Sequence, residues 1–166
     1  MIIKKIKLNN IRSYVNEEIN FSTGSLLLSG DIGSGKSTIL HAIDFALFGL
    51  NPELSGASLL RNGANNGYVE LNFEIDGKDV LIKRILKRGN SVNQDAGLIV
   101  IDGDKRNATH VELKQSVLNL LNYPQELLTK SKSLIYRYTV YTPQEEMKQI
   151  LLGKKEERLE ILRRVF

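Results

Sequence analysis

Apolar and charged residues alternate from the first positions of the chain, with Ile3, Ile6 and Leu8 set between lysines, and this alternation predicts an opening strand. Further on, Leu26-Leu27-Leu28-Ser29 is a short apolar run ending at a glycine-rich loop, the pattern of a buried strand that feeds a loop. The period then becomes helical. Ile39, Leu40, Ile43, Ala46 and Leu47 recur at three and four over Lys36–Phe48, and Gly49 with Pro52 supplies the stop. From Tyr68 the period is two: Val69, Leu71, Phe73 and Ile75, then Asp76-Gly77, then Val80 and Ile82. Asp-Gly between alternating runs is a hairpin signal, and it recurs at Asp102-Gly103 after Leu98-Ile99-Val100-Ile101. The middle third therefore reads as an antiparallel meander, with 89–97 as an exposed turn rich in Asn, Ser and Gly.

Two later helices are announced by capping boxes, Thr109 with Glu112 and Thr142 with Glu145, in which a hydroxyl and a carboxylate satisfy orphan amides at the helix start. The first carries Val111, Leu113, Val117, Leu120 and Leu121 as its apolar stripe; the second has Pro143 at its first position, where no amide hydrogen is needed. Residues 133–141 read as a strand between them. Beyond Gly153, residues 154–166 form a charged amphipathic helix with no closing cap.

Composition adds boundaries. With 166 residues, 42% hydrophobic and 25% charged, the chain can build an apolar core and is not a disordered tail. It has no cysteine, which excludes disulfides, thiolate metal sites and thiol nucleophiles. No apolar stretch approaches the roughly 20 residues of a membrane span, and the N-terminus lacks a signal-peptide pattern. The net charge of +4 suits a nucleic-acid partner and suits many ordinary domains as well.

Candidate chemistry is concentrated at Gly30-Asp31-Ile32-Gly33-Ser34-Gly35-Lys36-Ser37, which matches G-x-x-x-x-G-K-S/T in full and lies after an expected strand and before an expected helix. Glycines let backbone amides converge on phosphate oxygens, and the helix N-terminus adds positive potential. Lys36 is placed to reach the β- and γ-phosphates, Ser37 to bind Mg²⁺ and Thr38 to meet the α-phosphate region. No guanine-reading Asn-Lys-x-Asp segment occurs, which favours adenine and hence ATP. Hydrolysis also needs a carboxylate that holds the metal and positions water. Leu98-Ile99-Val100-Ile101-Asp102 has the outline of such a strand, but Gly103 and the meander make Asp102 a hairpin turn. Leu54-Ser55-Gly56-Ala57 resembles the Leu-Ser-Gly-Gly signature of ABC-type ATPases, yet it follows the phosphate loop too soon, has Ala57 in place of the second glycine and reads as a plain loop.

Several segments together resemble one family. Asn10-Ile11-Arg12-Ser13-Tyr14, the phosphate loop, Ala46-Leu47-Phe48-Gly49, Leu60-Arg61-Asn62-Gly63-Ala64 and the glutamine of Tyr141-Thr142-Pro143-Gln144 look like the N-terminal ATPase segment of SbcC or "Rad-fifty" DNA double-strand-break repair ATPases, in the SMC and ABC superfamily. The resemblance implies an α/β fold, the N-terminal lobe of an ABC-type P-loop NTPase head, with an antiparallel β-meander plus helices over 1–153 and the root of a coiled coil over 154–166. It implies a head assembled from two ends of one polypeptide, with the signature, the Walker B carboxylates and a switch histidine in the C-terminal half, and a zinc hook far along the coiled coil. Carried over by residue, Arg12 and Ser13 lie near the nucleotide, Ile32, Gly33, Ser34, Gly35, Lys36, Ser37 and Thr38 wrap its phosphates, and Arg61 and Asn62 lie near the adenosine. Gln144 coordinates Mg²⁺ and senses the γ-phosphate. Lys36 and Gln144 are the catalytic pair within this chain.

The function so implied is ATP-dependent head dimerisation and hydrolysis that regulate DNA binding and an associated nuclease. The implied partners are the C-terminal half of the same ATPase, a second head, an SbcD-type nuclease and DNA, with no membrane; the implied location is the cytoplasm and nucleoid, or the nucleus in a eukaryote. A self-contained P-loop kinase, a transporter ATPase and another SMC- or RecF-like ATPase are the competing classes. Lys83, Arg84, Lys87 and Arg88, with Lys105 and Arg106, are candidates for a basic strip on the meander that contacts phosphate backbones.

Overall fold

The computed structural model describes residues 1–51 and 54–122. Contacts divide the chain into Met1–Leu121 and Asn122–Phe166, and every element below belongs to the first unit. The expected strand at 133–141, the Thr142 capping box, Gln144 and the helix at 154–166 lie outside the described residues.

In chain order the elements are β1 (Ile2–Ile11), β2 (Tyr14–Asn20), α1 (Lys36–Phe48), α2 (Gly56–Leu59), β3 (Asn66–Ile75), β4 (Lys78–Arg88), β5 (Val92–Ile101), β6 (Asp104–Ala108) and α3 (His110–Leu120). The strands form one six-stranded antiparallel sheet ordered β2-β1-β3-β4-β5-β6. All neighbours are consecutive in sequence except β1 and β3, so the phosphate loop, α1 and α2 are inserted between two hairpins. Strand alternation sends Ile6, Leu8, Val69, Leu71, Phe73, Val80, Ile82, Leu86 and Ile99 to one buried face. Onto that face α1 packs Ala42, Phe45, Ala46 and Leu47, and α3 packs Leu113 and Val117. The opposite face carries charge pairs, among them Lys7 with Glu18 at 3.0 Å and Lys83 with Glu70 at 3.7 Å.

The expected meander is present, with left-handed Asp76 (φ 50°) and Asp102 (φ 49°) in its two Asp-Gly turns. The α1 boundaries and the Thr109–Glu112 capping box also match expectation. Three expectations are corrected. Leu26-Leu27-Leu28-Ser29 forms no strand: Leu26 is 49% exposed and Leu27 87%, because no strand among the described residues lies beside them. The exposed turn expected at 89–97 is shorter, since β5 begins at Val92, whose side chain is buried, and pairs with Arg88. The segment at Leu54-Ser55-Gly56-Ala57 is not a plain loop; Ser55 caps α2 by accepting from the Ser58 amide.

Two polar side chains are buried among the described residues, Thr38 at the start of α1 and, within the core, Arg84. Arg84, 1% exposed, occupies an inward position of β4 between Ile82 and Leu86. Its Nε donates to the Ala46 carbonyl at 2.8 Å and its Nη2 to the Leu47 carbonyl at 3.1 Å, while Nη1 donates to Gln94 Oε1 and the His110 carbonyl, both at 3.3 Å. Ala46 and Leu47 are in the last turn of α1, where carbonyls lack helical partners and the helix dipole is negative. Burial pushes the guanidinium pKa down to about 10, so it stays charged at neutral pH.

Replacing Arg84 with Met keeps the apolar stem and strands two buried and two part-buried acceptors, so unfolding free energy should fall by about 3 kcal/mol, read from urea denaturation. Arg84→Lys should recover only part, because an ammonium has no planar fork to span the four acceptors. A second expectation concerns α3. The Glu112 carboxyl is held below its ordinary value by the Thr109 amide and hydroxyl. Its contribution is full above the ordinary 4.5 and is lost as pH falls through the lower folded value. The stability gap between wild type and Glu112→Gln should therefore shrink over that range in unfolding measured across pH.

Candidate functional site

The phosphate loop is built from backbone conformations that side chains resist. Gly30, Gly33 and Gly35 have φ of 150°, 85° and 94°. Gly35 is the N-cap of α1, makes no side-chain cap hydrogen bond and is followed by no acidic residue in the first helical turn. The first amides of α1 thus remain available to an anion at the positive end of the helix dipole. Lys36 folds back over the loop, its Nζ donating to the carbonyls of Gly30 and Asp31, both at 2.7 Å, and to Ser34 Oγ at 3.1 Å. An ammonium is thereby held at the loop by the loop's own oxygens. Ser37 is exposed one residue into the helix, while Thr38 is 5% exposed with its amide on the Gly35 carbonyl at 2.9 Å.

The second wall is the β1–β2 turn, where Ile11 pairs with Tyr14 across Arg12 and Ser13. Tyr14 joins this turn to the phosphate loop, donating its hydroxyl to the Gly35 carbonyl at 3.3 Å. Burial, then the charge of Glu17, pushes the phenol pKa up, so the hydroxyl keeps its proton. Arg12 lies with its amide on the Leu59 carbonyl at 2.9 Å and its Nε on the Ser58 carbonyl at 3.0 Å. Its Nη1 and Nη2 make no hydrogen bond among the described residues and remain available to an anion. His41, one turn beyond Ser37 on α1, has its pKa lowered by burial and then by the Arg12 charge, so it is neutral at pH 7 and leaves Arg12 as the cation there.

Arg61 reaches the same turn from the far side, with Nη1 on the carbonyls of Arg12 at 3.0 Å and Ser13 at 2.9 Å. Asn62 is exposed in the adjoining turn. Hydrogen bonds thus join Arg61 to Arg12 and Ser13, and Tyr14 ties that turn to the phosphate loop; Gln144 lies outside the described residues. Tyr14 and His41 were not singled out from sequence. Tyr14 was visible as the last residue of Asn10-Ile11-Arg12-Ser13-Tyr14, whereas His41 carries no pattern beyond its helical spacing from Ser37.

Asp102 is a turn residue, its Oδ1 accepting from the Asp79 amide at 2.9 Å, as its Asp-Gly context implied. The basic strip is corrected. Alternation along β4 puts Lys83 and Lys87 on one face and Arg84 and Arg88 on the other, and Arg84 is buried. Lys83 pairs with Glu70 and lies 3.7 Å from the Tyr68 ring centroid, while Arg88 Nε is on the Ala64 carbonyl at 2.9 Å. No Mg²⁺-type cluster of acidic residues occurs among the described residues. The Ser37 hydroxyl is a hard oxygen donor and fits a cation whose other ligands are phosphate oxygens and water.

A glycine-rich loop closing onto a helix N-terminus, beside an antiparallel sheet whose β1–β2 turn bears an arginine, defines a P-loop NTPase lobe. The chain belongs to the AAA domain family, whose model matches residues 5–165. It is 33% identical to a DNA double-strand break repair Rad50 ATPase of Thermoplasma acidophilum, over 98% of this chain and 17% of the relative. It is 32% identical to one of Methanocaldococcus jannaschii, over 96% of this chain and 15% of the relative. The chain thus spans less than a fifth of the length of these relatives. Among solved structures, one described as structural biochemistry of ATP-driven dimerization and DNA stimulated activation of SMC ATPases superposes with a TM-score of 0.72 at 23% identity, covering 100% of both chains. The recombination mediator protein RecF matches with a TM-score of 0.55 at 23% identity, over 96% of this chain and 48% of that one. Both structures establish the fold.

The two inner loop glycines should respond differently to a methyl group. At Gly33 a Cβ would meet nothing within 4 Å, so Gly33→Ala should cost only the left-handed strain of about 1–2 kcal/mol. At Gly35 the Cβ would sit 2.8 Å from the Tyr14 hydroxyl and 3.1 Å from its ring, so Gly35→Ala should cost more and lower the thermal midpoint further. Scanning calorimetry of the two variants checks the order.

Proposed function

We propose that this chain is the ATP-binding half of a DNA double-strand-break repair ATPase head. The observation that carries the reading is a complete phosphate loop whose apolar lead-in, Leu26 and Leu27, stands exposed and unpaired among the described residues. A buried-strand pattern with no neighbouring strand among the described residues fits a lobe completed by further chain, and the matched relatives are several times longer than this one. The C-terminal half of the same ATPase is the partner that would cover it.

In this reading the open amides of α1 and the Lys36 ammonium bind the β- and γ-phosphates of ATP, with Lys36 exchanging its loop carbonyls for phosphate oxygens. The terminal nitrogens of Arg12 approach the phosphates from the β1–β2 turn, Ser13 adds a backbone contact, and Thr38 holds the start of the helix. Asn62 lies toward the adenosine. Mg²⁺ would be held by Ser37 and Gln144 and would neutralise phosphate charge. Gln144 then senses the γ-phosphate, a second head closes over it, and hydrolysis releases the dimer; contacts made only with the triphosphate couple the two events. The carboxylates for hydrolysis come from the C-terminal half. The cycle regulates DNA binding and an SbcD-type nuclease at the nucleoid, through a coiled coil that begins within residues 154–166.

The test adds the C-terminal half and follows ATP-dependent dimerisation by light scattering. Lys36→Ala should weaken ATP binding by about 10- to 100-fold and abolish the dimer. Gln144→Ala should retain binding and lose the ATP-induced dimer. ATP turnover by this chain alone at the rate of the assembled pair would overturn the split-head reading.

A further inference from the structure

Arg12 has a left-handed backbone, φ 46°, at the first position of a two-residue hairpin turn. Such turns place glycine there when only the first position has positive φ, and Ser13 is not among the residues of positive φ. A long L side chain in that conformation costs about 1–2 kcal/mol and persists only where the surroundings over-determine it. The surroundings are visible. Arg61 donates Nη1 to both carbonyls of the turn, Arg12 at 3.0 Å and Ser13 at 2.9 Å. Its own amide is on the Asn10 carbonyl at 2.9 Å, so side chain and backbone of Arg61 grip both sides of Arg12. Arg61 is braced in turn by Arg88, whose Nε holds the Ala64 carbonyl and whose Nη2 lies 3.5 Å from the Arg61 carbonyl.

The geometry points to Arg61 as a positioning residue: it acts on bound nucleotide by holding the Arg12–Ser13 turn in its strained form, not by contacting the adenosine. This rests on the proposed ATP site and deepens it. A guanidinium spent on two turn carbonyls fixes where the Arg12 terminal nitrogens and the Ser13 backbone point, and Tyr14 ties the same turn to Gly35 of the phosphate loop. Removing Arg61 lets the turn relax, and Arg12 then spends binding energy on being re-ordered. Phosphates are common to every nucleoside triphosphate, so the loss must be indifferent to the base.

The test measures displacement of a fluorescent N-methylanthraniloyl nucleotide by ATP and by GTP on the full polypeptide with its C-terminal half, for Arg61→Ala, Arg61→Lys, Arg12→Ala and the double variant Arg12→Ala/Arg61→Ala. Arg61→Ala is expected to weaken ATP and GTP by the same factor, about tenfold. The double variant should be no weaker than Arg12→Ala, and Arg61→Lys, which keeps one donor over the carbonyls, should regain part of the loss. A fall in ATP affinity with GTP unchanged would make Arg61 a base-reading residue and overturn the proposal, as would losses that multiply in the double variant. If Arg61→Ala does not fold, the same two comparisons are made with Arg61→Lys. Lys36→Ala run alongside separates the layers: ATP binding unchanged in that variant would overturn the nucleotide site itself, whereas its loss with independent Arg61 and Arg12 effects overturns only the positioning role.

Discussion

A guanidinium buried among neutral oxygens holds the lobe together. Arg84 projects from the middle of the sheet into the layer where α1, α3 and β5 meet, and each of these elements contributes an acceptor to it or flanks one that does. No apolar side chain could take its place, because the last carbonyls of α1 end inside the core and would otherwise be desolvated without partners. Burying a charge is costly, and the cost is offset here by four hydrogen bonds and by the negative end of the α1 dipole rather than by a carboxylate. The arrangement also has direction. Pinning α1 by its C-terminal end leaves its N-terminal amides free at the opposite end, where the phosphate loop needs them.

The loop is then shaped from three sides: by its own left-handed glycines, by Lys36 bonded to loop carbonyls, and by Tyr14 pressed against Gly35. Tyr14 makes the β1–β2 hairpin and the phosphate loop a single surface, so Arg12 is offered at a fixed place relative to the helix N-terminus. A second line of bonds runs from Arg88 to Arg61 to the Arg12 carbonyl. Strand β4 therefore supports α1 at its C-terminal end through Arg84 and the β1–β2 turn through Arg88 and Arg61. Reading those arginines from sequence as one basic strip missed this because period two sends neighbours on a strand to opposite faces, and charge alone does not say which face is inside.

What the sequence reveals follows the range of the interaction. The α1 boundaries, the two Asp-Gly turns and the Thr109–Glu112 box are set by contacts within a few residues, and all are present where pattern placed them. The phosphate loop is legible for the same reason. The β1–β2 hairpin left no such mark, since its turn is Arg12-Ser13 with no glycine, and its geometry is imposed by Leu59 and Arg61, far along the chain. Arg84 was equally hidden: its partners stand in α1, β5 and α3, and nothing near it in sequence distinguishes a buried arginine from a surface one.

Leu26-Leu27-Leu28 marks the opposite limit, a local pattern whose structural consequence is absent from this unit. The run has the residues of a buried strand, and its exposure leaves apolar area open just ahead of the phosphate loop in sequence. Apolar side chains at such positions gain roughly 25 cal/mol per Å² on being covered, and a strand's amides gain hydrogen bonds that water already half supplies. Both gains are open to any segment that docks along this run. A strand docked along the run would lie directly ahead of Gly30 in sequence, so covering these apolar side chains and fixing the entry to the phosphate loop would be one event.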